Sequence, residues 1–130
     1  MTQDNVKRLN SDWVKVRGEC SIAAMFAKLK LEIKQDIENL KAISPTVTFK
    51  LVESGNSFIV VRAIRYQNVE INFDLADSKI HVSRQGHTYL TATVTLDDDG
   101  ECRFLTSEKA LESWQFRRMA LENLFFELID

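Results

Sequence analysis

Two long helical patterns flank a central region of strand-like alternation. Within residues 21–44, apolar side chains recur every three or four positions, while lysine, glutamate and glutamine fill the other positions. This spacing predicts an amphipathic helix. It should end at Ser44, since the residue before Pro45 is disfavoured in the helical region. The predicted apolar stripe consists of Ile22, Phe26, Leu29, Ile33, Ile37 and Leu40.

The C-terminal pattern, residues 106–129, predicts a second helix of similar length. Thr106 or Ser107 would be its N-cap, because a hydroxyl can accept from the free N–H groups of a first helical turn. Its apolar surface is wider than one contact face requires. The surplus consists of Phe116, Met119, Phe126 and Ile129. These side chains need a further layer, either a neighbouring helix or a second subunit.

Between the helices, residues 46–105 change to a period of two. The clearest run alternates Val69, Ile71, Phe73 and Leu75 with polar residues, and turn clusters rich in Gly, Asn, Asp and Ser separate six such runs. Connections this short join antiparallel neighbours. The sequence therefore predicts an α+β fold: a six-stranded antiparallel β-meander with both long helices, antiparallel to each other, on one sheet face.

Strand register follows from parity, since a shift of one residue moves every side chain to the other face. Odd loops at 85–87 and 97–99 should place Val82 opposite Leu90, and Val94 opposite Cys102. In the second strand the predicted core set is Ile59, Val61 and Ala63.

That choice leaves an outward apolar patch on the first two strands. Its members are Val52, Phe58, Val60, Ile64 and Tyr66. Contiguous exposed apolar surface of this kind marks an interface or something that covers it. The cover could be a protein partner or the N-terminal segment, which carries Trp13, Val14 and Val16.

The remaining surface of the predicted sheet is polar. Cross-strand pairing would align Arg62, Asn72, His81 and Thr91 in one row, with Glu70, Ser83 and Tyr89 in the next. An ordinary solvated face is the favoured interpretation. A polar binding surface, or a shallow catalytic site with His81 as acid or base, is the alternative.

Composition is that of one globular domain: 45% of residues are hydrophobic and 28% are charged. We expect residues 1–130 to form a single domain. Residues 1–20 would be a separate short helix, capped at Asn10–Asp12 and interrupted or bent at Gly18, or a flexible arm. No apolar run reaches the roughly 20 residues that cross a bilayer, and the first residues lack the apolar stretch of a secretory signal. We therefore expect a cytosolic protein that binds neither membrane nor nucleic acid.

Candidate chemistry is sparse. The chain has two cysteines and two histidines and lacks the spacing of a zinc site, so we expect no metal or cofactor. Cys20 and Cys102 are interpreted as small apolar side chains in or near the core. The acidic run at 97–99 fits a hairpin turn better than a calcium loop. Phosphate-binding, nucleophile-elbow and metalloprotease motifs are missing from the sequence.

The leading hypothesis is a non-catalytic protein-interaction domain of the adaptor, chaperone-like or inhibitor type that forms a homodimer. Its candidate binding residues are Phe58, Val60, Ile64, Tyr66, Arg62, His81, Tyr89, Phe116 and Phe126. A second hypothesis is a small apolar ligand or lipid held in a cavity between sheet and helices. That cavity would be lined by Phe26, Phe49, Phe73, Phe104, Trp114 and Phe125. A third hypothesis is an enzyme that uses the open sheet face, with His81 as acid or base and Arg62, Glu70 or Tyr89 nearby.

Overall fold

The computed structural model describes residues 12–107 and 109–128, which form an α+β fold around one antiparallel sheet. The elements are α1 (12–19), α2 (Ile22–Ile43), β1 (Thr48–Ser54), β2 (Ser57–Ile64), β3 (Gln67–Ala76), β4 (Lys79–Arg84), β5 (His87–Leu96), β6 (Cys102–Leu105), β7 (Ala110–Leu111), α3 (Ser113–Glu122) and a π-helical turn (Asn123–Glu127). The strands pair in chain order from β1 to β7, so the meander is confirmed with one strand more than predicted.

Helix α2 lies where the periodicity placed it. The Ser21 hydroxyl accepts from the backbone N–H of Ala24 at 3.1 Å, and the N–H of Ser44 donates to the carbonyl of Leu40 at 2.8 Å. Each bond satisfies one backbone group that a helix end leaves without an intrahelical partner. The predicted stripe faces the core, with Leu29 and Ile33 fully buried.

The N-terminal helix breaks later than predicted. Residues 12–19 are helical through Gly18, and the break falls at Cys20–Ser21. The predicted cap residues Asn10 and Ser11 lie outside the described residues. Val16 is buried, whereas Trp13 and Val14 are exposed.

Cys20 and Cys102 form a disulfide, with their Cα atoms 5.5 Å apart. Their predicted place in or near the core is confirmed, since Cys20 is buried and Cys102 packs against the core, but their interpretation as unbonded apolar side chains is wrong. Apolar and polar periodicity carries no information on contacts between residues 82 positions apart, and connectivity cannot be deduced from spacing alone. The bond fastens the α1–α2 junction to the first residue of β6.

Two-residue turns decide which face of β2 meets the core. Ser54 pairs with Ser57 and Ile64 pairs with Gln67, so the turns at 55–56 and 65–66 each contain two residues. An even turn joins positions of opposite parity. Phe58 therefore lies opposite Phe73 and Val60 opposite Ile71, which reverses the predicted face of β2.

The next hairpin reaches the predicted register by a different route. Arg84 pairs with His87 across a two-residue turn, and a bulge then shifts the ladder so that Val82 faces Leu90 as predicted. The prediction needed one extra residue to bring Val82 opposite Leu90 and placed it in a three-residue loop. The structure instead has a two-residue turn, and the extra residue lies in the bulge. Between β5 and β6, Val94 pairs with Phe104 instead of Cys102, because the loop spans residues 97–101 and not 97–99.

The C-terminal helix is shorter than its pattern. The Thr106 hydroxyl bonds the backbone of Lys109, closing a turn into β7, where Leu111 pairs with Phe104. Helix α3 then starts after Glu112, whose N–H donates to Gln115 Oε1 at 2.9 Å. Thr106 is thus a turn residue and not a helix cap, because strand pairing outweighs local helix propensity here.

Both α2 and α3 pack side chains into one hydrophobic cluster over the sheet. Phe26 contacts Phe58, whose ring stacks on Phe73 at 4.7 Å between centroids, and Phe116 stacks on Phe104 at 4.6 Å. The two helices run in the same direction, not antiparallel as predicted. The Ser113 hydroxyl donates to Glu32 at 2.6 Å, and the Arg117 guanidinium donates to Asp36 at 2.7 Å. Four residues further along α3 therefore contact a position four residues further along α2, as in a parallel pair.

Candidate functional site

The predicted outward patch on β1 and β2 does not form. Phe58, Val60 and Ile64 are buried in the core, whereas Val52 and Tyr66 are exposed. This follows from the reversed face of β2. Phe116, predicted to be surplus surface on the last helix, is also fully buried.

Arg62 lies on the core side of β2 and not in the polar row. Its side chain is 5% exposed, and its Nη1 donates to the carbonyl of Leu124 in the π-helical turn at 2.9 Å. The guanidinium also lies 5.7 Å from the centroid of the Phe49 ring, within the range of a cation–π contact. The end of a helix leaves carbonyls that need donors. Arg62 supplies one, and it ties the C-terminal segment to the sheet.

His81 remains on the open sheet face and pairs with Thr91 as predicted, but its neighbours on β3 and β2 differ from the predicted row. Asp74 pairs with His81, and Ser57 pairs with Asp74 on the other side. The Ser57 hydroxyl donates to Asp74 Oδ1 at 2.5 Å. Nucleophilic catalysis of the serine type needs the imidazole beside the hydroxyl and the carboxylate beyond it. Here the carboxylate stands between them, so this order gives no support to a triad.

The other members proposed for a catalytic face lie elsewhere. Arg62 is in the core. Glu70 is four residues from Asp74 along β3, roughly 13 Å at the rise of an extended strand. Tyr89 reaches the helical layer, where its hydroxyl donates to the carbonyl of Ala120 at 2.7 Å. His81 is therefore separated from all three candidate catalytic partners.

Tyr89 has a second property set by its position. Its ring is half exposed while its hydroxyl is held against α3, and burial raises the pKa of Tyr89 to about 12, with nearby Arg84 acting in the opposite direction. An unfolded chain releases the tyrosine proton near pH 10. Between about pH 10 and 12 the unfolded chain therefore binds fewer protons than the folded one.

From this we expect the part of the stability due to Tyr89 to be fully present below about pH 10 and lost as the pH rises towards about 12. Tyr89→Phe should remove this pH dependence, and at neutral pH it should cost about 1 kcal/mol for the lost hydrogen bond. Urea unfolding at pH 7 to 11 measures both effects. Tyr66→Phe, at a fully exposed tyrosine, is the matched control and should keep the wild-type slope; equal slopes for both variants would contradict the assignment.

An apolar groove of about 390 Å³ lies between α2 and α3. Leu40, Leu121 and Phe125 line it together with three exposed side chains, Ile43, Trp114 and Phe126. Those three are 71%, 52% and 67% exposed. An apolar patch of this kind beside charged residues is typical of a protein-binding surface. It will be called the α2–α3 groove.

Charged side chains of both signs also line the α2–α3 groove. Arg117 binds Asp36 across the helices at 2.6 Å, and Arg118 binds Glu122 within α3 at 3.1 Å. Of the predicted binding residues, Phe126 alone lines this groove. The sequence predicted Trp114 only as a lining residue of an apolar cavity and Ile43 as part of no site, since helical spacing does not show which turns of two helices become neighbours.

The aromatic side chains expected to line an apolar cavity instead contact one another or the core. Phe49 meets Phe125 edge-on at 5.1 Å between centroids. In the core, Phe26 makes a tilted contact with Phe58, while Phe73 and Phe104 stack on neighbouring rings. Trp114 lies outside, with its indole N–H donating to Glu112. Ring packing of this kind is how protein cores are filled.

The described ranges hold no helix with the length and apolarity needed to cross a membrane. In those same ranges, His, Cys, Asp and Glu side chains do not gather in threes as metal ligands would. Comparisons of the chain with protein-family models, curated proteins and solved structures find no match in any of the three.

Proposed function

We propose that the protein is a non-catalytic protein-interaction domain that forms a homodimer through the α2–α3 groove. The observation that carries the proposal is the exposure of Ile43, Trp114 and Phe126 around one apolar groove. Large aromatic side chains beside a pocket are the usual anchors of protein interfaces. The open face around His81 offers no comparable arrangement.

A second copy of the chain is the favoured occupant of the groove because of its charges. A two-fold dimer brings the same patch together from both subunits, so the patch must be complementary to itself. Asp36 and Glu122 lie beside Arg117 and Arg118, and this mixture lets two copies meet without net repulsion. A strongly acidic or basic partner would not be complementary to this mixed electrostatic potential.

Ile43→Asp tests this interface. We expect wild-type protein to show about twice the 15.0 kDa of one chain in size-exclusion chromatography with light scattering at high concentration. The aspartate would place an unpaired charge in the buried interface, so we expect dissociation to become at least about tenfold easier. Leu31→Asp is the matched control, since Leu31 is 63% exposed on the same helix but does not line the groove.

A strict monomer at every concentration would overturn the homodimer. So would a dimer that Leu31→Asp weakens as much as Ile43→Asp does. Trp114→Ala gives a second probe that introduces no charge, and it should also weaken the dimer.

We infer in addition that the domain works in an oxidising compartment and not in the cytosol expected from the sequence. The Cys20–Cys102 disulfide supports this, because structural disulfides persist in oxidising compartments and are rare in reducing ones.

A further inference from the structure

Strand β5 has an open edge along its first half. Its ladder with β4 runs from His87 to Ala92, while its ladder with β6 covers only Thr93 to Leu96. Within residues 12–107 and 109–128, the ladder pairs give residues 87, 88 and 90–92 a partner on one side alone, and Tyr89 at the bulge has no ladder partner. The backbone N–H and C=O groups on the other side then need water or another backbone.

A cleft of about 650 Å³ lies along this edge. Residues 88–93 of β5 form one wall, and Leu105, Thr106, Ser107 and Lys109 form the other. Met119 of α3 also lines the cleft and is half exposed. A methionine side chain is flexible and polarisable, so it adapts to different apolar partners. The cleft continues the line of β6 beyond the point where that strand turns away at Thr106.

The charged residues among the described lining of the cleft are both basic. Lys79 and Lys109 line it, and none of its described lining residues is acidic. We propose that this cleft binds an extended peptide of about five or six residues that carries a carboxylate side chain and pairs with β5 as an added strand. Main-chain hydrogen bonds would supply affinity, while Met119 and the two lysines would select the side chains.

A bulge in β5 explains why this unpaired edge can accept a peptide strand without promoting aggregation. Ser83 pairs with Thr88 and Val82 pairs with Leu90, so the extra residue of the bulge is Tyr89 on β5. The Tyr89 hydroxyl is in turn bonded to α3. A bulge increases local twist and limits indiscriminate edge pairing. Only a short strand with suitable side chains would fit.

A displayed library of random heptapeptides, panned against the intact protein, tests the proposal. We expect enriched sequences to contain Asp or Glu, and one of them, made synthetically, to shift amide resonances of residues 88–92 in an NMR titration. Amide hydrogen exchange at alternate residues of this stretch should slow by at least tenfold. The same peptide N-methylated at alternate positions keeps its side chains but cannot pair, so it should not bind.

Lys109→Glu should weaken the acidic peptide by about fivefold, the scale of an exposed charge pair. Leu31→Asp, distant in sequence and outside the cleft, should leave binding unchanged. Failure to enrich any peptide overturns the proposal. So does equal binding of the N-methylated peptide, or a set of shifts confined to the α2–α3 groove.

Discussion

Phe58→Ala should lower the free energy of unfolding by about 3–5 kcal/mol, the usual cost of truncating a fully buried phenylalanine. Phe58 has no solvent exposure, and its ring lies between those of Phe26 and Phe73. Truncation would leave a cavity between α2 and the sheet and remove two aromatic contacts. Since whole domains are stable by only about 5–15 kcal/mol, urea unfolding would reveal the loss clearly.

Tyr66→Ala is the control for this prediction. Tyr66 stands in the neighbouring turn and is fully exposed, so its removal should change stability by less than about 0.5 kcal/mol. The pair also tests the strand register, because the face of β2 predicted from the sequence would expose Phe58. A small loss for Phe58→Ala would therefore contradict the observed register of β2.

Breaking the disulfide should have an effect of similar size. Cys20 and Cys102 are 82 positions apart, and cross-linking a loop of that length restricts the unfolded chain by an amount equivalent to about 4–5 kcal/mol in the chain-entropy model. We expect the variant with both cysteines replaced by serine to lose most of this. Wild-type protein in excess reductant should lose about as much. Urea unfolding with and without reductant makes the comparison.

The double variant is the internal control, since reductant should not change its stability further. Equal stability of wild-type protein with and without reductant would contradict a structural role for the bond. Free thiols in protein alkylated at the moment of cell lysis would contradict the inferred oxidising compartment.

Helical spacing of apolar residues was enough to predict α2, and strand-like alternation was enough to predict the meander. The alternation also gave the core-facing side of β3, which carries Ile71 and Phe73. Each depends on local chemistry: a helical stripe, a capping serine, a proline that ends a helix, and turn residues between strands. The β4–β5 pairing was also predictable, because the apolar side chains of both strands must share one face. For the site, sequence indicated surplus apolar surface on the last helix, and Phe126 does lie exposed beside the groove.

Strand β2 shows where such reasoning stops. Both its alternate sets are apolar, and Arg62 made the set containing Phe58 look like the outer one. The number of residues in each turn chose the other face. A carbonyl of the π-helical turn, 62 positions away, then gave the buried guanidinium its partner. Such a contact forms only when distant segments meet.

Local patterns were sufficient to predict the elements whose causes lie within a few residues: the length of α2, the positions of most turns and the alternation within strands. Tertiary structure alone decided the disulfide, the conversion of 110–111 into a strand, the shared direction of α2 and α3, and both candidate binding surfaces. The physical reason is common to all four. Each depends on atoms brought together by folding, whereas periodicity records only which side of its own element a residue occupies.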